Sequence, residues 1–154
     1  MPADSTLLAS WLSRDGDARP AVHDPSGSRT WSALVEQADR VASTLLRGRR
    51  SLEGERVALL ISPGADFVAC FFGVLRAGGA VVVLSPLHPA PETRYFCEDA
   101  GVGTIVASAA LAERVSFLVP ERRVLAAAEL VTQRGPTPPA SMPANDAPAL
   151  QLYT

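Results

Sequence analysis

The sequence predicts an α/β fold in which a layered, mostly parallel sheet is flanked by helices. Three observations predict it. Short apolar runs with polar flanks recur as "RVALLI", "AVVVL" and "GTIVAS", each the length of a strand covered on both faces. Two helical segments with glycine stops, "PGADFVACFFGVLRAGG" and "PETRYFCEDAG", separate them. The resulting β-α-β-α-β order implies parallel neighbours joined by right-handed crossovers.

Before this core, Ser5 can cap a first helix, "STLLASWLSRDG", whose Leu7, Leu8, Trp11 and Leu12 share one face and whose stop is Gly16. "RPAVHDPSGSRTW" reads as a hairpin turning at Pro25-Ser26-Gly27-Ser28. The next helix, "TWSALVEQADRVASTLLRG", carries Trp31, Leu34, Val35, Ala38, Val41, Ala42, Leu45 and Leu46 at helical spacing. Thr30 or Ser32 caps it and Gly48 ends it, beside Arg47, Arg49 and Arg50. Cations there complement the helix dipole and need no ligand.

After the third apolar run the pattern weakens. "AALAERVSFLV" and "ERRVLAAAELV" each offer a helix and a short strand, in an order the pattern leaves open. Residues 135–148 form a Pro-rich connector without periodicity, which predicts an exposed loop. The last residues, "ALQLYT", alternate and are rich in strand formers, so a closing strand is expected.

At 154 residues the chain is one ordinary domain or a piece of a larger one. A net charge of −2 with scattered cations offers nothing to a nucleic-acid backbone or an anionic membrane surface. The longest apolar run, residues 67–75, is too short to span a bilayer. The N-terminus lacks the pattern of a signal peptide, and a cytoplasmic protein is expected. All 14 basic residues are arginine, so neither a Schiff-base nor a phosphate-binding lysine can come from this chain. Cys70 and Cys97 sit in apolar stretches without metal-ligand spacing and read as reduced core thiols.

A search for conventional sites yields no catalytic residue and no metal ligand. Gly78-Gly79 closes a helix instead of opening one, so it is no phosphate cradle. His23 reads as a hairpin residue. His88 in "SPLHP" leaves the carboxyl end of a strand, where open α/β sheets bind ligands, and is the candidate for a ligand-side loop. Glu98 and Asp99 are adjacent on a helix end and point apart, while Asp66 and Glu92 fall in first helical turns that favour acids.

Two stretches carry a resemblance beyond fold class. "RTWSALVEQADRVASTLL" resembles the early helix of adenylate-forming enzymes, the superfamily of acyl-CoA synthetases, nonribosomal-peptide adenylation domains and luciferases; Trp31 and Ala33 replace its usual Tyr and Glu. "GERVALLISPGADFVACFFGVLRAGGAVVVLSPLHP" is similar to the following block, with Arg76-Ala77-Gly78-Gly79-Ala80 in place of Lys-Ala-Gly and with Pro86 after the second strand. "YFCEDAGVGTIVAS" matches the next helix end and strand. Within the superfamily, "SPLHP" with "ETRYFCEDAG" is most similar to acyl-CoA synthetases of the malonyl type.

The resemblance implies that the chain is the incomplete first part of the large N-terminal domain of such an enzyme. In the family a strand ending Tyr/Phe-Thr runs into the glycine-rich loop that holds the ATP phosphates. "ALQLYT" matches the residues before that loop and Thr154 matches its first position, which makes Thr154 the candidate nucleotide-binding residue. The implied whole enzyme joins a carboxylic acid to ATP with Mg²⁺ and passes the acyl group to a thiol, with coenzyme A as the expected acceptor. Residues 1–154 would then be scaffold, inactive alone and binding no cofactor alone. Competing expectations are one subunit of a split adenylating enzyme, completed by a C-terminal chain, and a non-catalytic protein-interaction module. A flavodoxin-like cofactor binder is disfavoured, since the strand-end loops lack the glycines and hydroxyls of a phosphate site.

Overall fold

A computed structural model describes residues 6–133, 138–139 and 142–154. Helix α1 (Leu7–Leu12) is capped by Thr6, whose hydroxyl accepts from the Ala9 amide at 3.0 Å. Ser5, the cap expected from the sequence, lies outside the described residues. The expected hairpin forms from β1 (Pro20–Asp24) and β2 (Gly27–Thr30), and Thr30 then caps α2 (Trp31–Leu46). α2 stops one residue earlier than expected: Arg47, at φ 51°, already takes the left-handed conformation assigned to Gly48.

The core alternates as predicted: β3 (Arg56–Leu60), α3 (Ala65–Arg76), β4 (Ala80–Val83), α4 (Ala90–Asp99) and β5 (Thr104–Ala107). The segments of open order resolve into a 3₁₀ helix (Ala112–Leu118), β6 (Arg123–Ala126) and α5 (Ala127–Thr132). A two-residue β7 (Leu150–Gln151) closes the sheet. The five strands are all parallel, in the order β6-β5-β3-β4-β7.

Strand alternation builds two cores from one sheet. Val57, Leu59, Val81 and Val106 face a layer made by α1, α2, α3 and α5. Ala58, Leu60, Val82, Ile105 and Ala107 face Cys97 and Ala100 around the end of α4 and Val115 and Leu118 of the 3₁₀ helix. Each fully buried Val or Leu contributes about 1.5–3 kcal/mol. Both cysteines are buried, and burial, with Asp66 nearby, pushes the Cys70 thiol up to about 12.

The entry helix is held by aromatic contacts. Trp11 stacks on Phe72 of α3 with centroids 3.8 Å apart and meets Trp31 edge-on at 6.1 Å. α2 and α3 approach more closely than side chains normally allow, because Gly73 leaves room for Val41. A Cβ on Gly73 would lie 2.5 Å from the Val41 side chain and 3.0 Å from the Ala38 carbonyl oxygen. Gly73→Val is therefore expected to lower the unfolding free energy by about 1–3 kcal/mol in urea denaturation. Adding Val41→Ala should return part of that loss, since both changes act at one contact; strictly additive losses would contradict this account.

Candidate functional site

Parallel strands all end on one side of the sheet, so their exit loops gather there, and this is where α/β sheets take ligands. Two features stand on that side: a crevice between the exits of β3 and β5, and the loop after β4 beside the end of β7.

The crevice lies at the switch point of the topology, since β3 leads across to β4 while β5 leads away to β6. It has a volume of about 250 Å³ and is lined by Ser62, Gly64, Asp66 and Ser108 with Asp24 and Ser26 of the hairpin. The amide of Ser62 donates to the Ser108 hydroxyl at 2.8 Å. The N-terminus of α3, the natural anion-binding element here, is already satisfied from within the chain: the Ala65 amide donates to Asp24 Oδ2 at 2.9 Å. Gly64 makes this possible, since at φ 155° a Cβ would stand 2.7 Å from that same oxygen. The Ala65 amide, then the Ser26 hydroxyl and amide, hold the Asp24 carboxyl at about 2, below its ordinary 3.8. Sequence reasoning missed this role of Asp24, because a cap supplied by a residue 41 positions away leaves no local pattern.

The second feature brings together the two residues singled out from the sequence. In the loop after β4, the Leu87 amide donates to the Ser85 hydroxyl at 3.1 Å and the His88 amide to the Ser85 carbonyl at 3.2 Å. Arg114 donates to the Pro86 carbonyl at 2.7 Å and ties the loop to the 3₁₀ helix. The His88 ring stands edge-on to Phe96 at 5.0 Å, with Nδ1 buried and without a hydrogen-bond partner. Tyr153 stacks on the same Phe96 ring at 4.4 Å, and Thr154 follows it at the surface. His88 and the approach to Thr154 thus share one aromatic neighbour.

The closing strand is shorter than the six residues expected. Only Leu150 and Gln151 pair, with Val81 and Val82 of β4. Tyr153 leaves the ladder because its ring and hydroxyl are bound to α4: the hydroxyl donates to Asp99 Oδ2 at 2.7 Å. Asp99 therefore orients a strand end, a role its position on the helix did not disclose. On the outer edge Leu150 and Leu152 remain 45% and 61% exposed, with Tyr95 at 58% nearby on the α4 side. Among the described residues no group of three His, Cys, Asp or Glu could hold a metal ion. No helix among them is long and apolar enough to cross a membrane.

The family profile described as AMP-binding enzyme matches residues 8–154. The chain belongs to that family. Among curated relatives, the nonribosomal peptide synthetase-like enzyme fsqF of Aspergillus fumigatus is 35% identical over 100 residues, covering 65% of this chain and 7% of the relative. Among solved structures, the nonribosomal peptide synthetase FmoA3 in its alpha-methyl-L-serine-AMP bound form superposes with a TM-score of 0.85 at 27% identity. That match covers 97% of this chain and 17% of FmoA3. A benzoate CoA ligase from Burkholderia xenovorans LB400 gives 0.84 at 25% identity, covering 97% of this chain and 32% of the ligase. The chain therefore spans a third or less of the length of each of these proteins. The resemblance to adenylate-forming enzymes is borne out, and both the nonribosomal-synthetase and the CoA-ligase branches are represented.

The bound state of Asp24 gives a pH prediction. Its carboxyl sits near 2 in the folded chain and 3.8 ordinarily, so the unfolded chain takes up the proton first as pH falls. The stabilisation is complete above about 4 and is lost as pH falls toward about 2. Asp24→Ala should lower the urea midpoint at pH 7 and flatten its decline between those values; an unchanged midpoint at pH 7 would remove Asp24 from the capping role.

Proposed function

We propose that this chain is the N-terminal scaffold segment of an ATP-dependent acid–thiol ligase, which activates a carboxylic acid as its acyl-adenylate and transfers it to a thiol. The observation that carries the reading is the position of Thr154. It follows Tyr153, at the carboxyl end of the parallel sheet, and Tyr153 packs on the same Phe96 ring as His88. Thr154 is read as the first residue of the nucleotide site and His88 as a contact on its ligand side.

The residues present fit a threshold to an ATP site and not the site itself. Thr154 offers one hydroxyl, and the helix N-terminus at the neighbouring crevice is taken by Asp24. Holding a triphosphate requires several converging amides or cations. ATP and Mg²⁺ are accordingly assigned to a longer protein, and catalysis is not assigned to residues 1–154 alone. The acceptor thiol is read as coenzyme A, as the name of the benzoate CoA ligase suggests; the likeness to nonribosomal synthetases makes a carrier-bound thiol the competing acceptor. The reading also makes the protein cytoplasmic.

A second reading is supported by the exposed edge at Leu150 and Leu152. An uncovered strand edge with apolar side chains invites another polypeptide. One subunit of a split adenylating enzyme, completed by a C-terminal chain, would cover it; a non-catalytic module would use it for a protein partner.

Calorimetry with MgATP, on this chain and on one extended past Thr154, tests the first reading. Binding is expected only in the extended protein. Binding by the 154-residue chain itself would place the nucleotide site among the β3, β4 and β5 exit loops instead.

A further inference from the structure

β7 presents a physical problem. A strand of two residues at the edge of a sheet has too few backbone hydrogen bonds to hold its own position. Its partner β4 pairs with it over two residues, and the Val81 amide donates to the Ala149 carbonyl at 2.8 Å just before it. Something else must fix the strand.

The side chains of the strand do so through one directed chain of hydrogen bonds. Arg56 Nε, at the start of β3, donates to Gln151 Oε1 at 2.9 Å. Gln151 Nε2 donates to the Tyr153 hydroxyl oxygen at 2.8 Å, and that hydroxyl donates to Asp99 Oδ2 at 2.7 Å. The direction is fixed by the ends. A guanidinium can only donate and a carboxylate can only accept, so the Gln151 amide has a single consistent orientation, and the Tyr153 proton points to Asp99 at 2.7 Å rather than to the Phe96 carbonyl oxygen at 3.4 Å. The relay begins at a cation and ends at an anion, which strengthens every bond between them. It ties together β3, β7 and α4, three elements distant in sequence. The Tyr153 ring adds its stack on Phe96, the same ring that carries His88. Burial and the adjacent Asp99 push the Tyr153 phenol up to about 12, so it stays a proton donor at neutral pH.

We infer that Tyr153 is a positioning residue: through the Arg56–Gln151–Tyr153–Asp99 relay it locks β7 to α4 and thereby sets the place and direction of Thr154. This inference rests on the reading of Thr154 as the opening of a nucleotide site, and its structural half stands without that reading. Beside the relay, the His88 loop and the exit of β7 share one contact, the Phe96 ring.

Tyr153→Phe is the decisive variant because it keeps the ring stack and removes only the hydroxyl. Amide hydrogen exchange on the 154-residue chain is compared for wild type, Tyr153→Phe, Asp99→Ala and the double variant. Each single change should accelerate exchange at the Val81 amide on the order of tenfold while the β3–β5 ladder keeps its rates. The double variant should be no faster than Tyr153→Phe alone, because removing the hydroxyl already breaks the bond to Asp99, together with the one from Gln151. A wild-type rate at Val81 in Tyr153→Phe, additive effects, or a general acceleration through β3 and β5 would each overturn the relay. A second measurement addresses Thr154 by MgATP calorimetry on the chain extended past it. Tyr153→Phe should weaken binding on the order of tenfold. Equal affinity before and after the change overturns the positioning of Thr154. No binding by the unaltered extended chain overturns the nucleotide reading instead, and the exchange rates still decide the relay.

Discussion

Strand β3 is buried on both faces, and the rest of the molecule is arranged around that constraint. Val57 and Leu59 point into the layer of α1, α2, α3 and α5, whereas Ala58 and Leu60 point toward α4 and the 3₁₀ helix. A strand with no face left for water needs a parallel neighbour on each side and helices above and below. β4 and β5 supply the neighbours, and the helices that connect them lie on opposite faces of the sheet. Two cores from one strand leave little freedom in how the remaining elements can pack.

That arrangement puts every strand exit on one side and creates a division of labour there. Between β3 and β5, the hairpin reaches over and Asp24 accepts from the Ala65 amide at the head of α3, while Asp66 Oδ1, in the crevice lining, has no hydrogen-bond partner. Beside β4, the polar groups are organised differently. His88 keeps a ring nitrogen without a partner, Arg114 ties down its loop, and the edge strand ends in an aromatic stack that leads to Thr154. The shared packing of His88 and Tyr153 on Phe96, next to Thr154, makes the β4–β7 side the candidate site.

The pattern of the sequence carried the helices and the inner strands well, because burial on both faces of a strand and on one face of a helix leaves a period that local residues cannot disguise. It placed β3, α3, β4, α4 and β5 in order and identified the hairpin before α2. It did less well where local signals compete. Gly48 is the natural stop for α2 by residue type and does take a left-handed conformation at φ 82°, but the turn already begins one residue earlier at Arg47, φ 51°. The order of the 3₁₀ helix, β6 and α5 was open for a related reason: each is too short for a period to be read.

By itself, then, the sequence determined the α/β class, the order of the central elements and the family resemblance, since all three rest on residues close together in the chain. It also marked Thr154 and His88, 66 positions apart by number, as the residues to watch. Only the tertiary structure decided that His88 and Tyr153, the residue before Thr154, meet at Phe96. It alone shortened the closing strand to Leu150 and Gln151, assigned Asp24 to the head of α3, and drew Asp99 and Arg56 into one hydrogen-bonded line through Gln151 and Tyr153. The reason is physical. Periodicity records which face of an element is buried, but a hydrogen bond between residues far apart exists only after the packing of the sheet has set their distance.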